Sequence, residues 1–194
     1  IISKSKERLK STFFKKNNKI KILNIGRYTD QKDQITLLKA LNLIKSKISF
    51  EAILIGYGVN KKLLENFVKK NNLKKQIKVL NYQNNPYKFI KKTDILILSS
   101  IYEGLPNVIL EALTLKKFVI SSNCPTGPKE ILKSGKFGYL FKPRDFKKLS
   151  KLIMIYSKNK KKCNYIALAG YNSLDRFDYQ KNCNKYLNEI RNIK

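Results

Sequence analysis

Two stretches of this chain carry residue types that could do chemistry together. The first is NIGRYTDQKDQ, Asn24 to Gln34, with Arg27 and Lys32 on one short segment. A guanidinium offers a rigid fork of donors and an ammonium a mobile point charge, a pairing that suits a diphosphate. The second is SSIYEGLPNVILEAL, Ser99 to Leu113, in which Glu103 and Glu111 flank a Gly-Leu-Pro turn with seven residues between them. Pro106 suits the first position of a helix, where no donor is needed. The amides of Asn107 and Val108 would then lie unpaired at the positive end of a helix dipole, a seat for a phosphate. Gly104 lets a ligand approach the backbone. Glu111 falls one turn beyond Asn107 on the same face, and a carboxylate there can accept the vicinal hydroxyls of a ribose or sugar. The residues also have ordinary readings. Lys32 would serve as solvated charge, Glu103 as a helix-dipole partner and Glu111 as an exposed helix residue.

Composition narrows the chemistry. There is no histidine, so a mechanism that needs an imidazole from this chain is excluded. Cys124, Cys163 and Cys183 are far apart, with no CxxC pair, which argues against a zinc site. No metal-ligand cluster is expected. No run of 18 apolar residues or signal-peptide core is visible, and the few cysteines point to a reducing, cytoplasmic setting. The chain lacks an initial methionine and reads as a piece of something longer. Its net charge is +29, almost all from lysine, since Arg8, Arg27, Arg144, Arg176 and Arg191 are the only arginines. Lysine, asparagine and isoleucine share A/T-rich codons, so compositional drift explains the charge more simply than dedicated nucleic-acid binding. Tyr and Phe are scattered among apolar runs rather than interleaved with cations on one face, which also argues against a nucleic-acid module. Such a surface would nonetheless be attracted to anionic headgroups.

The elements that must position these residues are legible as alternating patterns. Apolar runs at 20–26, 50–56, 77–82, 94–100, 118–122 and 138–141 read as six strands, continuous in apolar residues as strands covered on both faces are. Helical stripes fall between them, at about 31–46, 61–71, 86–92, 106–115 and 127–133. From Asp145 onward only helices are expected, over 145–156, 161–174 and 179–193. This alternation predicts an α/β domain with a doubly wound parallel sheet, flanked by helices and followed by a C-terminal helical extension. Ligands then bind outside the carboxyl ends of the strands. The LIGYG segment, Leu54 to Gly58, lacks the third glycine of a dinucleotide fingerprint and reads as a strand-to-helix turn. NCPTGPKEIL, Asn123 to Leu132, reads as loop punctuation.

Four segments in this order, GRYTDQKD, LIGYG, EGLPNVILEA and NCPTGPKEIL, resemble the C-terminal, donor-binding half of retaining GT-B glycosyltransferases of the large family-four type. The resemblance covers about 19–194. It implies a Rossmann-like domain over 20–160, preceded by a linker or remnant of another domain (1–19) and followed by helices that cross back to that domain (161–194). It implies that Arg27 and Lys32 neutralise the donor diphosphate and that Glu103 holds hydroxyls of the transferred sugar. Gly26 and the turn Gly104, Leu105, Pro106, Asn107 and Val108 would meet phosphate and sugar. Glu111 would bond the ribose, and the segment at Tyr82 and Gln83 would contact the base. The implied donor is a nucleotide-diphosphate sugar, UDP-linked, with no metal and no other cofactor. The acceptor would be a glycan or lipid-linked intermediate of surface-polysaccharide assembly, bound by a separate N-terminal domain, with peripheral contact to an anionic membrane and none to nucleic acid. An epimerase or hydrolase of the same architecture is the enzymatic alternative.

Overall fold

The computed structural model describes residues 1–9, 11, 13, 14 and 17–192. Six strands form one sheet: β1 (Ile20–Ile25), β2 (Phe50–Ile55), β3 (Ile77–Leu80), β4 (Ile95–Leu98), β5 (Phe118–Ser122) and β6 (Tyr139–Phe141). The helices are α1 (Ile2–Ser5), α2 (Gln34–Ile44), α3 (Lys61–Lys70), α4 (Tyr87–Lys92), α5 (Asn107–Thr114), α6 (Pro128–Ile131), α7 (Phe146–Lys158), α8 (Lys160–Asn172) and α9 (Tyr179–Arg191). Every strand pairing is parallel, and the order is β3-β2-β1-β4-β5-β6. The chain winds outward from β1 to β3, returns to β4 beside β1, and winds outward the other way. The expected doubly wound sheet is therefore present, and its order reverses between β1 and β4. The loops leaving those two strands must splay to opposite faces, which opens a crevice at their carboxyl ends.

Burial explains the apolar runs. All six residues of β2 and all four of β4 are buried, because helices cover both faces. On one face Ile22, Leu54 and Ile97 pack with Leu38, Leu41, Leu149 and Ile153; on the other, Leu23, Ile53 and Leu96 pack with Ile90, Ile109 and Leu113. Each fully buried aliphatic side chain is worth about 1.5–3 kcal/mol relative to exposure, before conformational entropy is counted.

Three local details depart from the sequence pattern. The helix expected over 31–46 starts at Gln34. Residues Asp30–Lys32 form a single 3-10 turn, and Asp33, at φ 41°, turns the chain and caps α2 by accepting from the Thr36 amide. Pro106 is not inside α5 but is the residue before it, with ψ 91°. The segment 1–19, expected as a linker, carries α1 alongside α4, and the buried Glu51 carboxylate accepts from the Phe14 amide at 2.8 Å.

The glycines of LIGYG hold the first two strand-to-helix loops together. A Cβ on Gly56 would stand 2.0 Å from the Gly26 carbonyl oxygen. Gly56→Ala should therefore cost about 1–3 kcal/mol by forcing those loops apart. Urea unfolding would measure it, and an unchanged midpoint would show that the loops do not need this contact.

Candidate functional site

The crevice between the ends of β1 and β4 is built from three loops bonded to one another. Tyr28 anchors the loop after β1. Its ring is fully buried, its hydroxyl lies 2.6 Å from the Leu80 carbonyl and 2.9 Å from that of Leu54, and burial pushes the phenol well above its ordinary range. Gln34, itself buried, donates to the Arg27 carbonyl at 2.9 Å. The Arg27 backbone is thus fixed while its guanidinium is exposed, with the Gln31 amide oxygen 3.4 Å away.

Lys32, at the end of the 3-10 turn, reaches across to the loop after β4. Its ammonium donates to both oxygens of Glu103, at 2.6 and 2.8 Å. The two side chains are only 17% and 6% exposed, so the pair is largely desolvated. Ser100 donates from its hydroxyl to the same carboxylate at 2.5 Å. Backbone bonds lace the loops together: the Ile101 amide donates to the Gln31 carbonyl at 2.8 Å, and the Ser99 hydroxyl to the Lys32 carbonyl at 3.0 Å.

The loop after β5 supports Glu103 from the other side. The Glu103 amide donates to the Pro125 carbonyl at 2.7 Å, and the Thr126 amide and hydroxyl donate back to the Glu103 carbonyl at 2.9 and 3.0 Å. A Cβ on Gly127 would fall 2.2 Å from the Gly104 carbonyl oxygen and 2.6 Å from Pro106 Cδ. The NCPTGP segment, expected as loop punctuation, is therefore a brace for the EGLP turn. On the opposite side Gly104 faces open space, with nothing within 4 Å of where a Cβ would stand.

Past the turn, the amides of Asn107 and Val108 open the first turn of α5, where helix geometry supplies no acceptor. Asn107 and Leu105 are exposed, and Val108 is half-buried. One turn on, Glu111 is half-buried, with the Tyr87 hydroxyl 3.5 Å from its Oε1. Burial raises its carboxyl above the usual range, against a smaller opposing effect of that hydroxyl. Gly26, Arg27, Tyr82, Tyr87 and Glu111 line a cleft of about 320 Å³. At its mouth the exposed Tyr82 meets Tyr57 edge to face, with ring centroids 6.2 Å apart.

The residues singled out in the sequence thus converge in two groups. Gly26, Arg27, Tyr82 and Glu111 share the cleft, Lys32 and Glu103 form the ion pair beside it, and Gly104 to Val108 bridge the two. Sequence reasoning missed Ser100, Gln31, Thr126, Tyr87 and Tyr57. Ser100 carried a signal, lying one helical turn's spacing before Glu103; the others looked like ordinary loop or helix residues. Among the described residues, no group of three His, Cys, Asp or Glu side chains could hold a metal ion.

Glu111 has a stability consequence. With its carboxyl raised in the folded state, the native chain holds that proton more tightly than the unfolded chain. Its contribution therefore falls as pH rises above the ordinary glutamate value of 4.5. Glu111→Gln should raise the thermal midpoint at pH 7 and leave it nearly unchanged below pH 4. An equal effect at both pH values would remove burial of the charge as the cause.

Known proteins resemble this chain in sequence and in fold. The family described as glycosyl transferases group 1 matches residues 5–173. An uncharacterized glycosyltransferase of Methanocaldococcus jannaschii is 38% identical over 135 residues, covering 62% of this chain and 33% of its own length. The N-acetylgalactosamine-N,N'-diacetylbacillosaminyl-diphospho-undecaprenol 4-alpha-N-acetylgalactosaminyltransferase of Campylobacter jejuni is 30% identical over 119 residues, 61% of this chain and 32% of its own. This chain thus spans about a third of the length of these relatives. Among solved structures, Anabaena HepE in complex with UDP superposes with a TM-score of 0.82 at 21% identity, over 91% of this chain and 50% of HepE. The C-terminal domain of a group 1 glycosyl transferase from Francisella tularensis, LpcC, gives 0.72 at 26% identity, over 81% of this chain and 85% of that domain. With the family matched over most of its length, this chain belongs to the glycosyl transferases group 1 family.

Proposed function

We propose that this chain is the donor-binding part of a retaining glycosyltransferase. It would hold a nucleotide-diphosphate sugar, UDP-linked and carrying a hexose or N-acetylhexosamine, for transfer to a glycan or lipid-linked acceptor in surface-polysaccharide assembly. One observation carries the reading: Arg27 and Glu111 line a single cleft that adjoins the amide-bearing start of α5. A nucleoside diphosphate has a hydroxyl-rich ribose beside an anionic centre, and this cleft offers an acceptor beside a cation and free amides. The complexes of HepE with UDP and with UDP-glucose support the choice of nucleotide.

In this reading Glu111 accepts from the ribose hydroxyls and the Tyr57–Tyr82 rim meets the base. Arg27 and the amides of Asn107 and Val108 take the diphosphate. Lys32, drawn partly away from Glu103, spreads its charge onto the departing diphosphate while Glu103 accepts from the sugar hydroxyls. The sugar leaves through an oxocarbenium-like state and is attacked from the same face, so the protein's work is positioning and charge stabilisation, without a metal. Both Glu103 oxygens are already engaged by Lys32 or Ser100, which weighs against its serving as the acid of a hydrolytic pair. The acceptor site would belong to the two thirds of the relatives' length that this chain does not span. Helix α9 fits that reading, since none of its residues is buried while Tyr186, Leu187 and Ile190 lie exposed along it. No helix among the described residues is long and apolar enough to cross a membrane.

Calorimetry with UDP and UDP-sugars on this chain tests the reading. Arg27→Ala should weaken UDP binding by about tenfold or more, as for a lost charge-assisted hydrogen bond, and Glu111→Gln should weaken it despite stabilising the free fold. In an enzyme completed by the acceptor half, Arg27→Ala or Lys32→Ala should lower turnover about a hundredfold. The isolated chain should show no acceptor-dependent transfer. UDP affinities identical in the parent and both variants would overturn the assignment of the cleft.

A further inference from the structure

One arginine outside the cleft is bonded to the segment that braces Glu103. Arg176 lies in the 3-10 turn Leu174–Phe177, between α8 and α9. Two of its bonds are local: Nε donates to the Ser173 carbonyl at 3.1 Å and Nη2 to the Ser173 hydroxyl at 3.3 Å. Two others reach back 45 and 46 residues to the end of α6. Nη2 donates to the Ile131 carbonyl at 3.1 Å and Nη1 to the Glu130 carbonyl at 3.4 Å. The guanidinium carbon also stands 4.9 Å from the centre of the Phe177 ring and 5.6 Å from that of Phe137, close enough for a ring to attract a cation. The Arg176 backbone is held in turn by α9, since the Asn182 side-chain amide donates to its carbonyl at 2.9 Å.

Helix α6 needs such a partner. It has four residues, too few for a helix to hold its shape alone. The last carbonyls of a helix have no donor within it, and an arginine can supply one. Ile131 is fully buried and fixes the apolar side of α6; the planar fork of Arg176 fixes its polar end. The same helix grows out of the brace. The Ile131 amide donates to the Gly127 carbonyl at 2.9 Å, and Thr126, one residue earlier, donates twice to the Glu103 carbonyl. Bonds to Ser173 would suffice to tighten the turn after α8. They do not explain why the guanidinium also spans the gap to α6.

We propose that Arg176 is a positioning residue for Glu103. Its guanidinium clamps the end of α6, and α6 holds residues 123–127 against the Glu103 backbone. The proposal rests on the reading of Glu103 as the acceptor of sugar hydroxyls, and it names what keeps that acid in place. Arg176 itself touches no donor. Recognition of the sugar, rather than of the nucleotide, depends on it, because Arg27 is clamped by Gln34 and Glu111 rides on α5.

Amide hydrogen exchange tests the clamp without a ligand. In Arg176→Ala the amides of Glu103 and Thr126 should exchange about tenfold faster or more, while those of Ile53 and Leu54 in β2 keep their parent rates. Arg176→Lys keeps the charge but loses the fork, and should show the same pattern at smaller size, which covers the case of an alanine variant that does not fold. Lys181→Gln removes the neighbouring exposed pair with Asp175 and should change neither set of amides. Parent rates at Glu103 and Thr126 in the Arg176 variants would overturn the proposal. So would an equal rise in β2, because the arginine would then add only to overall stability. Calorimetry with UDP, UDP-glucose and UDP-N-acetylglucosamine reads the effect on the site. Any gain in affinity that the sugar brings over UDP should be lost in Arg176→Ala as in Glu103→Gln, with UDP affinity itself unchanged. Equal losses for UDP and the sugar donors would count against positioning of Glu103. A parent chain that binds no UDP counts only against the donor cleft, and the exchange rates still decide the clamp.

Discussion

The contact between Lys32 and Glu103 holds the candidate site together. It joins the loop after β1 to the loop after β4, the two loops that a doubly wound sheet must splay apart. A largely desolvated ion pair is a poor source of net stability, because removing two charges from water costs about what their attraction returns. Its value here is geometric. With the Ser99, Gln31 and Ser100 bonds around it, the pair fixes the distance between a cation and an acid that sit 71 residues apart in the chain. Breaking it from one side would leave a buried, unpaired charge, so the two residues must be understood as one unit.

That unit is braced rather than rigid in itself. Glu103 is held through its backbone by Pro125 and Thr126, and Gly127 lets the brace approach within the space a single methyl would fill. The opposite side of the same turn is open at Gly104. Support on one side and free space on the other is what a site needs if the backbone is to meet a ligand closely without moving. The two glycines that meet at this turn therefore do opposite jobs: Gly127, on the brace, admits the protein's own backbone, and Gly104, on the turn, leaves room for something else.

Much of this was legible in the sequence, for identifiable reasons. The strands announced themselves because both faces are covered, which leaves no polar alternation to blur runs such as Phe50–Ile55. The placement of Arg27, Glu103 and Glu111 at strand ends followed from those runs. What stayed hidden depends on contacts between distant segments. Nothing near Asn123–Gly127 reveals that its carbonyl and amide pair with Glu103, and nothing near Tyr87 reveals that its hydroxyl approaches Glu111. The late start of α2 was also hidden, because Asp33 caps it from a left-handed conformation that the apolar stripe does not encode. The ordinary reading of Glu111 as an exposed helix residue fails for a related reason: its polar face turns toward a cleft, not toward bulk water.

Charge distribution sharpens the contrast between composition and function. Lysine is spread over the whole chain, and by count alone it identifies nothing. Two features single out the cations at the candidate site. Lys32 is desolvated and paired, and Arg27 is one of only five arginines and has its backbone clamped. Around these cations the cleft adds an acceptor for hydroxyls and fixed amides, which favours a single oriented ligand.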